Sequence, residues 1–338
     1  MTVKRVLVSL ALVIALFAVG IAGVVMNFAL KWPPTFPDIP TPDIHASTDP
    51  KIIAQGEYLY NAVAHCPACH TPSEEYQASK PGTVPPPKGG HEWHMGPLAT
   101  VRSANITADK DTGIGKWSDG EIARAVKYGI RPDHTAALFM FAVGAMADQD
   151  LTALVSYLRT VPAVKNQIPD SEIGALGKVL FQSVMGFFAG PKDYPTPAYV
   201  AAGEVSIARG RYLAEGPGMC AGCHSDPLYA DGKLQYDGPV LSGRKNQPWP
   251  DETDPEFEFV GPNLTPAKSG AITGWKLEQF VKRFRTEGRR FKGSVMPWES
   301  FANLTDSDLE SIWLYLSSLP PTEKKVGPQR RAKGSQPQ

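Results

Sequence analysis

Cys66-Pro67-Ala68-Cys69-His70 and, 154 residues further on, Cys220-Ala221-Gly222-Cys223-His224 use every cysteine in the chain. Two thiols at this spacing can form thioether bonds to the vinyl groups of one haem, and the adjacent histidine is then placed to ligate the iron from the proximal side. One such pentapeptide is compatible with chance. Two, with no cysteine left over, predict two covalent haem c groups, held by Cys66, Cys69 and His70 and by Cys220, Cys223 and His224. Other uses of paired cysteines fit less well. A four-cysteine zinc site wants its pairs close together or flanked by turn glycines. A thioredoxin-like pair sits at a βα junction, and neither pair has a βαβ pattern around it. Disulfides between neighbouring cysteines leave both histidines unexplained.

Working outward, the two halves align. Ile53-Ala-Gln-Gly-Glu-Tyr-Leu59 matches Ile207-Ala-Arg-Gly-Arg-Tyr-Leu213 at the offset of the cysteine motifs, 154. Asn105-Ile-Thr107 matches Asn263-Leu-Thr265, Trp117 matches Trp275, and Leu151-x-x-Leu154-x-x-Tyr157-Leu158 matches Leu309-x-x-Ile312-x-x-Tyr315-Leu316, all at offset 158. Two copies are too few for a solenoid. The repeat predicts two domains, 48–163 and 204–321, joined by a Pro/Gly-rich linker, 164–203, with one helix near 173–188. In each unit a short helix containing Gly56 or Gly210 runs into the cysteine motif. A loop region follows, then a helix near 118–128 or 276–287, a methionine-bearing loop, and an amphipathic last helix with i, i+3, i+4, i+7 spacing. The glycines are expected to let the first and last helices cross closely, near Tyr157 and Tyr315. Thr305 with Asp308 resembles a capping box for the last helix, and Pro320 closes it. Strand signals are nearly absent, so the fold class is read as all-α.

The N-terminus continues from Lys4-Arg5 into apolar residues Val6 to Leu30, broken by Ser9 and Asn27. As a helix this stretch is about 37 Å long, more than the roughly 30 Å hydrocarbon core. Residues 1–31 are therefore expected to be a transmembrane anchor. Lys4 and Arg5 stay cytoplasmic by the positive-inside rule, and Trp32 suits the outer interface. A cleaved signal peptide would have a shorter apolar region ending in a small-x-small site, and no convincing site follows Gly23. Formal net charge is zero, so no global field favours nucleic acid. Charge is nevertheless uneven. Lys276, Lys282, Arg283, Arg285, Arg289, Arg290 and Lys292 form a basic stretch, and Asp251, Glu252, Asp254, Glu256 and Glu258 an acidic one. They are either two solvated surfaces or docking patches. The tail 322–338, rich in Lys, Arg, Pro, Gln and Gly, is expected to be disordered.

Cys66–His70, Asn105 through Trp117, Cys220–His224, Asn263-Leu-Thr265 and Met296-Pro-Trp298 together resemble two class I cytochrome c domains in tandem, over about residues 51–320. The arrangement is similar to membrane-bound dihaem and multihaem cytochromes that accept electrons for periplasmic dehydrogenases, although those subunits usually carry three haems. The resemblance implies an all-α fold and haem propionate contacts from Asn105, Trp117, Asn263 and Trp275. It also implies a location on the periplasmic face of the bacterial inner membrane.

A sixth iron ligand in such a domain is His or Met, and a thioether favours the reduced iron. After residue 200, His224 is already proximal and Met219 is tethered beside Cys220, which leaves Met296 for the second haem. For the first haem Met140, in Leu138-Phe-Met-Phe141, is the leading candidate, yet at offset 158 it faces Trp298, while Met296 faces Leu138. Met146, His134, His91 and His94, or an open iron, remain alternatives. His65 is expected at the surface, and the Pro81–Pro97 insert over the first haem or at a partner. The functional expectation is an electron carrier, with no catalytic residue, relaying electrons from a dehydrogenase or quinol-oxidising complex to a cytochrome or terminal oxidase. The alternative is a dihaem redox enzyme, such as a peroxidase with an open N-terminal haem. A thiosulfate-type enzyme would want a cysteine ligand, and none is spare.

Overall fold

A computed structural model describes residues 3–80, 83, 85–140, 145–183, 196–230, 233–251 and 253–335. The helices are α1 (Val3–Leu30), α2 (Pro50–Tyr58), α3 (Pro67–His70), α4 (Ser73–Ala78), α5 (Asp119–Tyr128) and α6 (Asp148–Leu158), followed by α7 (Ala175–Gln182), α8 (Ile207–Glu215), α9 (Cys220–His224), α10 (Leu277–Lys282), α11 (Trp298–Phe301) and α12 (Asp306–Ser318). Wider π-turns extend α2 over Leu59–Val63 and α10 over Arg283–Glu287. Within α1, Ser9–Leu30 is long and apolar enough to cross a membrane.

Local chemistry sets the helix ends. Ser118 and Glu121 exchange reciprocal bonds as a capping box for α5, which stops at Gly129 with φ 67°. In α12 only half of the expected box forms. Thr305 Oγ1 accepts from Asp308 N at 3.2 Å, while the Asp308 carboxylate turns to Arg209 and Tyr58.

The paired glycines explain how each unit is built. A Cβ on Gly56 would lie 1.9 Å from Ala153 O, and one on Gly210 would lie 1.9 Å from Ser311 O. Each first helix therefore crosses its last helix backbone to backbone, with Tyr157 or Tyr315 beside the crossing. Gly210→Ala should cost about 3 kcal/mol, the upper range of overpacking, because backbone rather than a flexible side chain blocks the methyl. Urea unfolding of the holoprotein measures this; a loss below about 1 kcal/mol would show that the helices slide apart freely.

The expectation of an all-α protein is corrected by the strands: the structure is mixed α and β, with three small antiparallel sheets among the described residues. In the first, β1 (Glu92–His94) pairs with β2 (Ala99–Arg102), which pairs with β3 (Glu172–Ile173). The second is the hairpin of β4 (Pro227–Ala230) and β5 (Lys233–Tyr236). In the third, β7 (Phe257–Gly261) lies between β6 (Arg244–Pro250) and β8 (Arg330–Ala332). These strands are short, and β6 contains two prolines, so their partners rather than their own patterns select the extended state.

The basic tail is also ordered where β8 forms. Arg330 donates to Asp251 at 2.7 Å and Asp254 at 3.1 Å, and Arg331 to Glu258 at 2.7 Å. Asp251, Asp254 and Glu258 of the acidic stretch are thus paired by the tail that composition marks as disordered. The linker helix is α7; residues 184–195 of the linker lie outside the described residues.

The two units share a core. Leu59, Ala62 and Val63 of the first unit are buried in one cluster with Leu213, Phe301, Leu309 and Leu316 of the second. Two tyrosines cross this interface reciprocally. Tyr58 OH donates to Asp308 Oδ2 at 2.6 Å, and its repeat equivalent Tyr212 OH donates to Asp150 Oδ2, the equivalent carboxylate, at 2.7 Å.

Candidate haem sites

Each cysteine motif forms a short helix, α3 or α9, whose last residue is the histidine. His70 Nδ1 lies 2.8 Å from Ala104 O, and His224 Nδ1 lies 2.9 Å from Pro262 O. A carbonyl can only accept, so the proton sits on Nδ1 and the Nε2 lone pair is left for a metal. Burial pushes both imidazoles below the usual range, against the opposing pull of those carbonyls, which keeps the neutral, ligating form at pH 7. None of the four cysteines pairs with another, so all are available for thioether bonds. Burial raises Cys66 and Cys220 to about 12. Cys69 is raised to about 11 by burial and then by the neighbouring thiol of Cys223.

The methionines fall into matching places. Met140 borders the core cluster that Cys66 and Trp117 also border, and Met296 borders the one shared by Cys220 and Trp275. In each unit a cysteine of the motif, an indole and a methionine thus pack against the same core cluster. Met146 is fully buried in the first core, a packing position. His94 is exposed and lies 3.4 Å from Glu92. His134 Nδ1 faces Arg124 Nη1 at 3.3 Å. His91 packs against Trp93 with centroids 4.4 Å apart and planes tilted at 47°, and burial holds its imidazole at about 4. Phe141, which follows Met140 in sequence as Pro297 follows Met296, lies outside the described residues.

Asn105 and Asn263 have identical environments. Asn263 Nδ2 donates to Thr322 O at 2.8 Å and Ser269 Oγ at 3.2 Å, while its Oδ1 accepts from Thr265 N and Oγ1. Asn105 repeats this with Val164 O, Thr112 Oγ1 and Thr107. Both amides lock a loop to the segment after the last helix, and a propionate contact would have to share those atoms.

Two placements differ from the sequence reading. His65 is not a surface residue: its ring packs edge-on against Phe301 of the other unit at 5.3 Å, and burial holds it at about 4. Its repeat equivalent Met219 packs in turn against the first unit's core. Much of the basic stretch is internal chemistry rather than a free patch. Arg283 lies 3.7 Å over the Trp298 ring, and Arg285 pairs with Asp306 at 2.8 Å. Arg289 grips Glu299 through two bonds and also donates to Met296 O at 3.3 Å. Arg289 is thus a site residue that the sequence shows only as one more positive charge.

Motifs, histidine geometry and fold converge on one class. Residues 53–162 match the cytochrome c family, so the chain contains a cytochrome c domain, of the kind that binds haem c covalently. It is similar to dehydrogenase cytochrome subunits. Over 306 residues it is 30% identical to the cytochrome c subunit of a quinone alcohol dehydrogenase from Gluconacetobacter polyoxogenes, covering 85% of this chain and 59% of the relative. It is 28% identical over 292 residues to the gluconate 2-dehydrogenase cytochrome c subunit of Pantoea cypripedii, covering 79% and 59%. A diheme cytochrome c-type protein of Cereibacter sphaeroides is 27% identical over 293 residues, covering 82% of this chain and 91% of that protein. The chain spans 59% of the length of the first two relatives.

Proposed function

We propose that the chain is a two-haem electron relay, anchored by α1 in the bacterial inner membrane with both haem units on the periplasmic side. Haem 1 would be held by Cys66, Cys69 and His70 with Met140 as sixth ligand, and haem 2 by Cys220, Cys223 and His224 with Met296. Each bound haem supplies a one-electron iron couple. The chain's residues set its conditions: the carbonyls of Ala104 and Pro262 orient the histidines, and the methionine sulfurs favour the reduced iron. The observation that carries the reading is the repeated Nδ1–carbonyl bond, which leaves a free Nε2 in both motifs. The core shared by Leu59, Ala62 and Val63 with Leu213, Phe301 and Leu309 holds the two units in contact, which supports transfer from one haem to the other. Relatives named as dehydrogenase subunits support a dehydrogenase as electron donor, and a cytochrome or terminal oxidase would be the acceptor.

The test is a count of covalent haems per purified chain, followed by a carbon monoxide difference spectrum of the reduced protein. Two haems that both ignore carbon monoxide are expected. A single haem would remove the relay. Carbon monoxide binding at one of two would replace the carrier by a redox enzyme with an open iron.

A further inference from the structure

The two methionine loops are held in different ways. In the repeat Arg131 is equivalent to Arg289, and both clamp the same carbonyl: Arg131 Nη1 donates to Ala136 O at 3.0 Å, and Arg289 Nη1 to Ser294 O. In the second unit the clamp is completed from within, because Arg289 also grips Glu299 and Met296 O. In the first unit the position of Glu299 is Phe141, which has no carboxylate to offer.

The first loop is instead gripped by segments outside the repeat. The chain leaving α1 runs alongside it: Phe36 N donates to His134 O at 2.9 Å, Ala136 N donates to Pro34 O at 3.2 Å, and Thr35 forms an antiparallel bridge with Thr135. Next to Met140, Phe139 has φ 59°, a left-handed conformation that a bulky residue adopts only when its surroundings force it. Those surroundings are aromatic. Trp93 of the Pro-rich insert stacks on Phe139 with centroids 5.9 Å apart and planes at 6°, and Phe181 of α7 meets it edge-on at 6.4 Å. Phe181 is 0% exposed and also packs against Trp32 at 6.4 Å. Gln182 Nε2 then donates to Phe28 O at 2.9 Å, tying α7 to the last turn of α1.

We infer that the segment 32–36, α7 and Trp93 form a brace that positions Met140, so that ligation of haem 1 depends on the chain emerging from the membrane helix while ligation of haem 2 does not. The inference rests on Met140 as the sixth ligand of haem 1. Phe181 acts through Phe139 and is a positioning residue, in a cluster separate from the one that Cys66 borders. The first unit would keep its sulfur ligand only while anchor and α7 stay docked, which couples the potential of haem 1 to membrane attachment.

The experiment uses the full-length holoprotein in detergent or nanodiscs and reads each haem separately, by carbon monoxide stoichiometry and by the sulfur-to-iron charge-transfer absorption of the ferric form. Phe181→Ala is expected to raise carbon monoxide binding from none to one site per chain, to remove half of the charge-transfer absorption, and to lower one midpoint potential while leaving the other unchanged. Met140→Ala is run beside it and should give the same spectrum. If M140A opens haem 1 and F181A leaves it closed, the brace is overturned and Met140 stands. If M140A itself leaves haem 1 closed, the ligand reading falls and the brace falls with it. Should F181A disturb both haems, the milder F181L is judged by the same haem-selective criteria, and equal loss at both haems would overturn the inference.

Discussion

Asp308→Asn is expected to remove about 3–5 kcal/mol of stability, because it leaves a buried guanidinium without its counter-charge. Arg209 is 0% exposed and Asp308 1%. The carboxylate accepts from Arg209 Nε and Nη2, both at 2.9 Å, and from Tyr58 OH of the other unit at 2.6 Å. Denaturant unfolding of the holoprotein measures the loss, and a cost below about 1 kcal/mol would show that water reaches Arg209. The double variant R209M/D308L should recover most of it, since an apolar pair of similar volume often replaces a buried ion pair without loss.

The repeat supplies its own control at Asp150, which is 1% exposed and accepts from Tyr212 but has neutral Gln55 at the position of Arg209. Burial raises its carboxyl above the ordinary value of 3.8, opposed by the Tyr212 bond. A carboxyl raised in the folded state contributes stability that is fully present below pH 3.8 and is lost as pH rises through the raised value. Asp150→Asn should therefore flatten stability against pH above that point and cost less than Asp308→Asn at neutral pH. A variant whose stability–pH curve superimposes on the parent would contradict this assignment.

Met296→Ala is expected to give the largest functional change at haem 2. The loop is held by Arg289 on Met296 O and by Trp298 N, which donates to the same oxygen at 2.9 Å. Loss of the sulfur should open the iron to carbon monoxide and lower its potential by on the order of 0.1–0.2 V, a fraction of the roughly 0.8 V that axial ligands span. Met296→His should keep the iron closed while still lowering the potential, because imidazole favours the oxidised iron. Spectroelectrochemical titration separates the two haems. An unchanged potential in M296A would mean that another group closes haem 2.

The sequence alone determined the features that depend on covalent spacing and local chemistry. Cys-x-x-Cys-His puts its three reactive groups within one helical turn whatever surrounds them, and the 154 and 158 offsets expose a duplicated unit without any contact being known. Gly56 and Gly210 were legible because a close helix crossing has few other solutions. The tertiary structure decided whatever depends on a distant partner. The strands around β6 and β7 carry little pattern of their own, and β8 becomes a strand when Arg330 and Arg331 meet Asp251 and Glu258, some 70 residues upstream. The reciprocal Tyr58–Asp308 and Tyr212–Asp150 bonds, the packing of His65 against Phe301, and the contacts of residues 34–36 and Phe181 with the loop before Met140 all join segments far apart in sequence. Side-chain direction and long-range pairing set those contacts, and neither is written in the local order of residues.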